Sequence, residues 1–421
     1  MKLQNVNKPK LLSLKEETVS RYNAFMAKNL KLDMSRGRPG ADQLDICEGL
    51  LTALSSNAEC VTGGVDCRNY GGLDGIPAMK KIFADILAVA PENVVIGGNS
   101  SLTMMYDTIA RAMTHSQLKG GKPWSACSKI KFLCPSPGYD RHFCITKHFG
   151  IEMLTVPMKS DGPDMDVVRE LVKDADVKGI WCVPKYSNPQ GITYSDSVVT
   201  AFASLKPAAD DFKIIWDNAY CVHDIADESD VLLDIFGECK KYGSEDMIFE
   251  FASTSKISYP GAGVACLAAS KANIDHIKKH LFVQTIGPDK LNQLRHVIYY
   301  KDADGVYAHM QKHKAILAPK FGMVLDTLKK ELDGLDIAEW NSPNGGYFIS
   351  LDVVDGYASR VLELCASAGV AMTPAGSTYP YMKDPFDRNI RIAPTAPTVS
   401  DLAAAAELFC ICVKLAIIET L

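Results

Sequence analysis

The chain has 421 residues, 47% of them apolar and 23% charged, with a formal net charge of −5. That length exceeds one compact core and predicts two or three domains. The weakly acidic balance supplies no basic footprint for nucleic acid or an anionic membrane, which leaves small molecules as the expected partners.

Met1 to Glu17 is polar and lysine-bearing, without an apolar stretch of signal-peptide length, so no export is expected. Residues up to about Cys47 are expected to pack on a second domain. The next elements alternate short β-branched or aromatic runs with longer helical patterns. The runs are Val94 to Ile96, Ile130 to Leu133, Ile180 to Val183, Ile214 to Trp216, Ile248 to Ala252 and Val264 to Ala268. Such alternation predicts an α/β fold with a mainly parallel sheet covered by helices.

A polar group follows each of five of these runs: Asn99-Ser100-Ser101, Tyr139-Asp140-Arg141, Asn188-Pro189, Asp217-Asn218-Ala219-Tyr220 and Ser255-Lys256. In an open α/β sheet these groups converge on one edge, where ligands bind. Gly97 to Ser101 leads into the helical run Leu102 to Met113, so its hydroxyls and N–H groups face an anion position at a helix N-terminus. Taken alone it is equally an ordinary N-cap. Asp217 at a strand end needs a cationic partner if buried, or else caps the next helix. Lys256, flanked by small hydroxyl residues and followed by Pro260-Gly261-Ala262-Gly263, can be desolvated enough to attack an aldehyde.

From Leu291 to about Leu332 the pattern is helical, with Pro288 before it and Gly334 after it, and is read as the bridge to a smaller α+β domain. Leu402 to Ile418 is apolar but interrupted by Glu407 and Lys414, which predicts a packing helix and not a membrane span. The domains expected are residues 48–290 as the larger unit, and 291–421 as the bridge and smaller unit, joined by segment 1–47.

Thirteen cysteines are scattered along the chain without C-x-x-C pairs. Cys221 and His223 lack a second ligand pair, and Cys410 and Cys412 lie on different helix faces. Reduced, mostly buried thiols are expected in place of zinc or disulfides, with the cytoplasm as the compartment.

Four segments in order, Asn188-Pro189-Gln190-Gly191, Asp217-Asn218-Ala219-Tyr220, Ser253-Thr254-Ser255-Lys256 and Arg391-Ile392-Ala393, carry a resemblance that spans nearly the whole chain. The sequence resembles the fold-type I pyridoxal-phosphate aminotransferases. It looks closest to the aspartate aminotransferase subgroup called Ic through Ser35 to Pro39, Arg68 to Gly75, Gly97 to Leu102 and Asn292 to His296. The resemblance implies a large domain with a seven-stranded sheet, pyridoxal phosphate as cofactor, and amino acids and 2-oxo acids as substrates.

By these matches Lys256 is the expected cofactor lysine and proton shuttle, and Asp217 the partner of the pyridine nitrogen. Asn188 and Tyr220 are expected at the ring's phenolic oxygen, with Tyr139 stacked on the ring and Phe143 as its rival. Asn99, Ser100, Ser101, Ser253 and Ser255 are expected around the phosphate. Val264 stands where many family members carry a phosphate-binding arginine, leaving Arg36, Arg68 or Arg141 as candidate cations. Arg391 is expected on the substrate α-carboxylate and Gly37 beside the substrate. Tyr70 is expected to reach the phosphate of a second subunit, which implies a homodimer with shared active sites.

An aspartate donor needs a further cation for its side-chain carboxylate. Arg295 leads, with Arg36, Arg38 and Arg141 as rivals and an ordinary ion pair as the alternative role for Arg295. The expected reaction is a ping-pong transfer from L-aspartate to 2-oxoglutarate. A transaminase for aromatic, branched or alanine-type substrates, a lyase or decarboxylase, and a ligand-sensing regulator remain as competitors. The segment before Ser35 lacks the length and basic character of a helix-turn-helix, and no G-x-S-x-G, P-loop or G-x-G-x-x-G is present.

Overall fold

A computed structural model describes residues 7–420. The part of the N-terminal reading that falls on residues 1–6 lies outside them. Eight strands form one sheet: β1 (Val94–Ile96), β2 (Lys131–Ser136), β3 (Glu152–Lys159), β4 (Gly162–Pro163), β5 (Val177–Cys182), β6 (Lys213–Asp217), β7 (Ile248–Ser253) and β8 (Ala265–Ala269). Their order is β1-β8-β7-β6-β5-β2-β3-β4.

From β7 through β3 every pairing is parallel. β8 runs antiparallel to both β7 and β1, and β4 turns back on β3. Seven strands make up the expected mainly parallel sheet, and the two-residue β4 at its edge brings the number to eight. β3 was not among the runs read from the sequence.

Every residue of β6 is buried. Ile214 and Trp216 enter one apolar cluster while Ile215 enters the other, as the two-residue repeat of a strand requires. Burial on both faces explains why the run is continuously apolar and not alternating. Because β1, β2, β5, β6 and β7 point the same way, their C-terminal ends share one edge.

Six helices matter for the site and its support: α1 (Lys8–Met26), α2 (Ser101–Thr114), α3 (Asp140–His148), α4 (Lys290–Tyr300), α5 (Ala303–Leu332) and α6 (Val399–Ile418). α2 buries Met105, Thr108, Ile109 and Ala112, one helical face laid over β7 and β8. The helical run expected from Leu291 to Leu332 is two helices. Lys301 breaks it with φ +71°, and Asp302 caps α5 by accepting from the Gly305 N–H at 2.8 Å. A Cβ at Gly305 would sit 1.7 Å from the Tyr300 carbonyl oxygen, so glycine is what lets the chain turn so tightly there.

A second sheet joins Ala338–Trp340, Ile349–Val353 and Asn389–Ile392, all antiparallel. Leu32–Asp33 pairs with Val370–Ala371, and α1 packs on α6. The N-terminal segment therefore packs on the C-terminal part of the chain. No described helix is long and apolar enough to cross a membrane. The two charges interrupting α6 are paired: Glu407 accepts from Arg21 at 2.9 Å and Lys414 meets Glu331 at 2.5 Å. All thirteen cysteines are unpaired thiols; Cys144 is exposed, Cys127 and Cys221 are half-buried and the others are buried.

Candidate active site

The strand ends enclose a cavity of about 490 Å³, a volume suited to a cofactor with a small substrate. Gly37, Ser100, Ser101, Tyr139, Asn188, Asp217, Tyr220, Ser253, Ser255, Lys256 and Arg391 line it. Strand direction brings the ends of the large sheet together, and the N-terminal segment at Gly37 and the second sheet at Arg391 close the cavity from the other side.

Lys256 lies in the turn after β7 and projects between two aromatic rings, its Nζ 4.9 Å from the Tyr347 centroid and 5.5 Å from that of Tyr220. Burial pushes its pKa down to about 8, while Asp217 pulls it up and Arg391 adds to the depression. The depression gives the lysine a minor neutral fraction near pH 7, far above that of an exposed lysine, which is what a nucleophilic or proton-carrying lysine requires.

Asp217 ends β6 and is 2% exposed. Its Oδ2 lies 3.0 Å from His142 Nε2, and the His142 ring is stacked on Trp181 with centroids 4.4 Å apart. Its Oδ1 is buried with no hydrogen-bond partner among the described residues. An orphaned carboxylate oxygen in such a place is costly by about 1–3 kcal/mol or more, and a protonated ring nitrogen is a donor that would remove the cost. The residues present therefore fit pyridoxal phosphate.

Tyr139 stands on the cavity wall at the start of α3, edge-on to His142 at 4.9 Å. Its rival Phe143 is buried in the apolar cluster behind it. Tyr220 is fully enclosed, and burial, followed by Tyr139 and Asp217, raises its phenol well above the ordinary range. It therefore stays a neutral donor. Arg391, on the second sheet, donates to Asp140 Oδ1 at 3.0 Å and Asn188 Oδ1 at 3.1 Å, with Nε toward Thr373 at 3.3 Å. Phe348 packs under its guanidinium at 4.8 Å. A Cβ at Gly37 would lie 2.4 Å from that same Phe348 ring, which explains why glycine stands there.

Ser100 and Ser101 open α2, whose first turn holds no acidic residue. Ser253 donates to Ser255 at 3.2 Å, and Ser255 donates to the Asn99 carbonyl at 2.8 Å, tying this turn to the lysine loop. The Asn99 side chain turns away and donates to the Pro260 carbonyl at 3.1 Å. Val264 is buried at 2% exposure and supplies no charge. Arg36, Arg38 and Arg141 line the cavity, while Arg68 lies outside it, paired with Asp66 at 2.8 Å.

Two expected residues lie outside the cavity of a single chain. Tyr70 is 83% exposed and borders a separate cleft with Arg68 and Lys290. Arg295 is exposed and borders another, formed by Gly97 to Asn99, Gly261 to Val264 and Asn292.

Sequence reasoning missed His142, Asp140 as the contact of Arg391, and the Tyr347-Phe348 pair. A signal for His142 was present, since it falls with Phe143, Ile145 and Thr146 on the buried face of α3. A signal for the aromatic pair was Gly345-Gly346 directly before it. A Cβ at Gly345 would lie 2.3 Å from the His223 carbonyl oxygen, so the pair is brought close to other backbone.

Residues 6–421 match the aspartate amino-transferase family. An aspartate aminotransferase of Corynebacterium glutamicum is 45% identical over 417 residues, covering 99% of this chain and 96% of that protein. The crystal structure of an aspartate transaminase from the same species superposes with a TM-score of 0.97 at 45% identity, covering 100% of this chain and 99% of that one. A Thermus thermophilus α-aminoadipate aminotransferase solved with N-(5'-phosphopyridoxyl)-L-leucine shares the fold, with a TM-score of 0.74 at 18% identity over 95% of this chain and 97% of that one.

Proposed function

The chain belongs to the aspartate amino-transferase family of fold-type I aminotransferases, and we propose that it transfers the amino group of L-aspartate to 2-oxoglutarate with pyridoxal phosphate as cofactor. The observation that carries the substrate reading is charge. Arg36, Arg38, Arg141, Arg391 and Lys256 line the cavity against the carboxylates of Asp140 and Asp217, with Arg38 also 3.8 Å from Asp33 at its rim. A site with that excess suits a phosphate ester together with a dicarboxylic substrate.

When bound, the cofactor supplies an aldehyde that takes up the amino group and an electron-withdrawing ring that stabilises negative charge at Cα. Lys256 would hold the cofactor through its amine and, once released, would be placed to move the proton at the substrate Cα. Asp217, steadied by His142, holds the ring nitrogen protonated. Tyr220 and Asn188 donate toward the phenolic oxygen, and Tyr139 fixes the ring plane. Ser100, Ser101, Ser253 and Ser255 surround the phosphate, supported by the backbone at Asn99.

Arg391 grips the α-carboxylate, with the substrate taking over the contact that Asp140 now makes. Arg36 and Arg141 have no ion-pair partner among the described residues and are the in-chain readers of the second carboxylate. Arg295 serves there only if a second copy brings it in. The same reading makes the protein a homodimer, with Tyr70 reaching the neighbouring phosphate, and keeps the division into residues 1–47, 48–290 and 291–421. Thirteen unpaired thiols support a reducing cytoplasm.

The test is the visible spectrum of the cofactor-loaded protein. L-Aspartate alone should abolish the starting band, and 2-oxoglutarate should restore it, with Lys256→Ala inert to both. A band that responds to L-alanine or L-phenylalanine as fast as to L-aspartate would overturn the dicarboxylate reading. Arg141→Ala and Arg36→Ala should slow aspartate more than alanine. Arg295→Ala slowing both equally would remove Arg295 as a reader.

A further inference from the structure

Behind the lysine loop lies a cluster that the transamination chemistry does not use. Cys47 follows the short helix Ala41–Asp45, and His309 and His313 are one turn apart on α5. All three are buried, and their ligand atoms lie within 4.8 Å of one another. Cys47 Sγ is 3.6 Å from His309 Nε2, and the two Nε2 atoms are 3.1 Å apart. The Ile257 carbonyl oxygen completes the group, 3.5 Å from Cys47 Sγ and 3.3 Å from His313 Nε2.

Four of the six separations are close to the edges of a tetrahedron around zinc, and the Cys47–His313 pair, within 4.8 Å, needs only a small side-chain rotation to reach one. Bonds of roughly 2.3 Å to sulfur and 2.0–2.1 Å to nitrogen or oxygen put ligand atoms roughly 3.3–3.6 Å apart. We propose that Cys47, His309, His313 and the Ile257 carbonyl form a binding site for a divalent cation of the zinc class. The mixed thiolate and imidazole set selects borderline metals over magnesium or calcium.

Further contacts fit the role. The Tyr299 hydroxyl lies 3.3 Å from His309 Nδ1, so that ring can donate outward while Nε2 faces the ion. Cys47 is flanked by exposed Asp45, Glu48 and Gly49, so the cluster lies under a thin cover that a metal can cross. Binding releases the thiol proton of Cys47 to solvent and leaves both imidazoles neutral. Two contacts work against the ion: the Tyr300 hydroxyl donates to the Ile257 carbonyl at 2.8 Å, taking one of its two lone pairs, and the Gln43 amide nitrogen is placed 3.1 Å from His313 Nδ1, a ring atom that must carry a proton once Nε2 holds metal. Gln43→Glu supplies a carboxylate to accept that proton, and so identifies a metal site in a way that a plain hydrogen-bonded core would not.

The experiment uses the full cofactor-loaded chain, freed of metal by chelator and dialysis. Zn²⁺ is titrated in competition with a chromophoric chelator, and Co²⁺ is followed by its ligand-field bands, which lie to the red of the cofactor's absorption. The expected result is one equivalent per chain with the intense bands of a four-coordinate thiolate site, lost in Cys47→Ser and in His313→Gln. Gln43→Glu should tighten binding by roughly ten- to a hundredfold.

In the unaltered chain, Zn²⁺ should protect Cys47 from alkylation, read by peptide mass spectrometry, and this arm holds even where a variant fails to fold. Failure to take up one equivalent, or uptake that leaves Cys47 open to alkylation, would overturn the site. So would uptake that persists in Cys47→Ser, which would move the metal to the His115, His276 and His280 group, whose neighbouring rings lie 4.4 and 4.9 Å apart.

Discussion

The corner between α1, α5 and α6 and the cavity at the strand ends both bury charge, in opposite ways. In the corner, Glu331 accepts from Arg21 at 3.1 Å and from Lys414 at 2.5 Å, and Arg21 reaches on to Glu407. Each charged head meets its opposite. In the cavity, Lys256 Nζ faces the rings of Tyr347 and Tyr220 at 4.9 and 5.5 Å and no carboxylate within ion-pair distance among the described residues, and Asp217 Oδ1 has no donor. A closed network fixes helices against each other, whereas a charge left with unused bonding capacity is available for a ligand.

If that contrast is right, removing the unpaired groups should abolish chemistry while removing the paired ones should only weaken the fold. Lys256→Ala should lower single-turnover conversion of L-aspartate by roughly 10⁴-fold or more, with a circular dichroism spectrum like that of the parent. Glu331→Gln, measured per folded chain, should leave the rate within about twofold, since a substitution far from the site acts through stability alone. A comparable loss in both variants would mean that the two regions are not distinct in kind.

Asp217→Asn comes next. It keeps volume and the contact with His142 but removes the charge that holds the ring nitrogen protonated. The expected loss is roughly 10²–10³-fold in turnover, with cofactor retention measured separately by its absorbance. Turnover within about threefold of the parent would remove Asp217 from the role given to it.

The contrast also explains what the sequence disclosed. The open side was legible because its residues stand directly after strand runs: Asp217 after Ile214 to Trp216, Lys256 after Ile248 to Ala252. β3 was hidden because Pro157, Lys159 and exposed Thr155 interrupt its apolar repeat, so its burial comes from neighbouring strands. The break at Lys301 was hidden because its cause is the close approach of Gly305 to the Tyr300 carbonyl, which helical periodicity does not encode. His142 and Asp140 were hidden because their partners, Asp217 and Arg391, are 75 and 251 residues away. Tyr70 was named from the resemblance and Arg295 from the need for a second cation, and a single chain leaves both outside the cavity.

A sharper form of the comparison is one substitution made twice. At Lys256 the folded pKa is about 8, below the unfolded value of 10.5. At pH 7 both states are protonated, and the folded state carries the cost of a desolvated ammonium. Between about 8 and 10.5 the unfolded chain binds more protons, so stability rises with pH there. Lys256→Met should therefore raise the melting temperature of the cofactor-free protein at pH 7 by at least about a degree, roughly the scale of 1 kcal/mol in a chain this long. Lys414→Met should lower it, because Glu331 loses a partner that nothing replaces. Shifts of the same sign would show that packing, and not pairing, separates the two lysines.

The smallest effect tests whether the closed network is electrostatic at all. Burial pushes the Glu331 carboxyl up, but Arg21 and Lys414 outweigh it and bring its pKa down from 4.5 to about 2. With the folded value below the unfolded one, the unfolded chain binds the extra proton between them. The stabilisation is therefore full above about 4.5 and is lost as pH falls toward 2. Glu331→Gln should cost about 1–3 kcal/mol near neutral pH, read from urea midpoints, and progressively less as the pH is lowered through about 4. A penalty that stays constant over that range would assign Glu331 a packing role. The closed corner would then differ from the open cavity in shape and not in how its charges are paired.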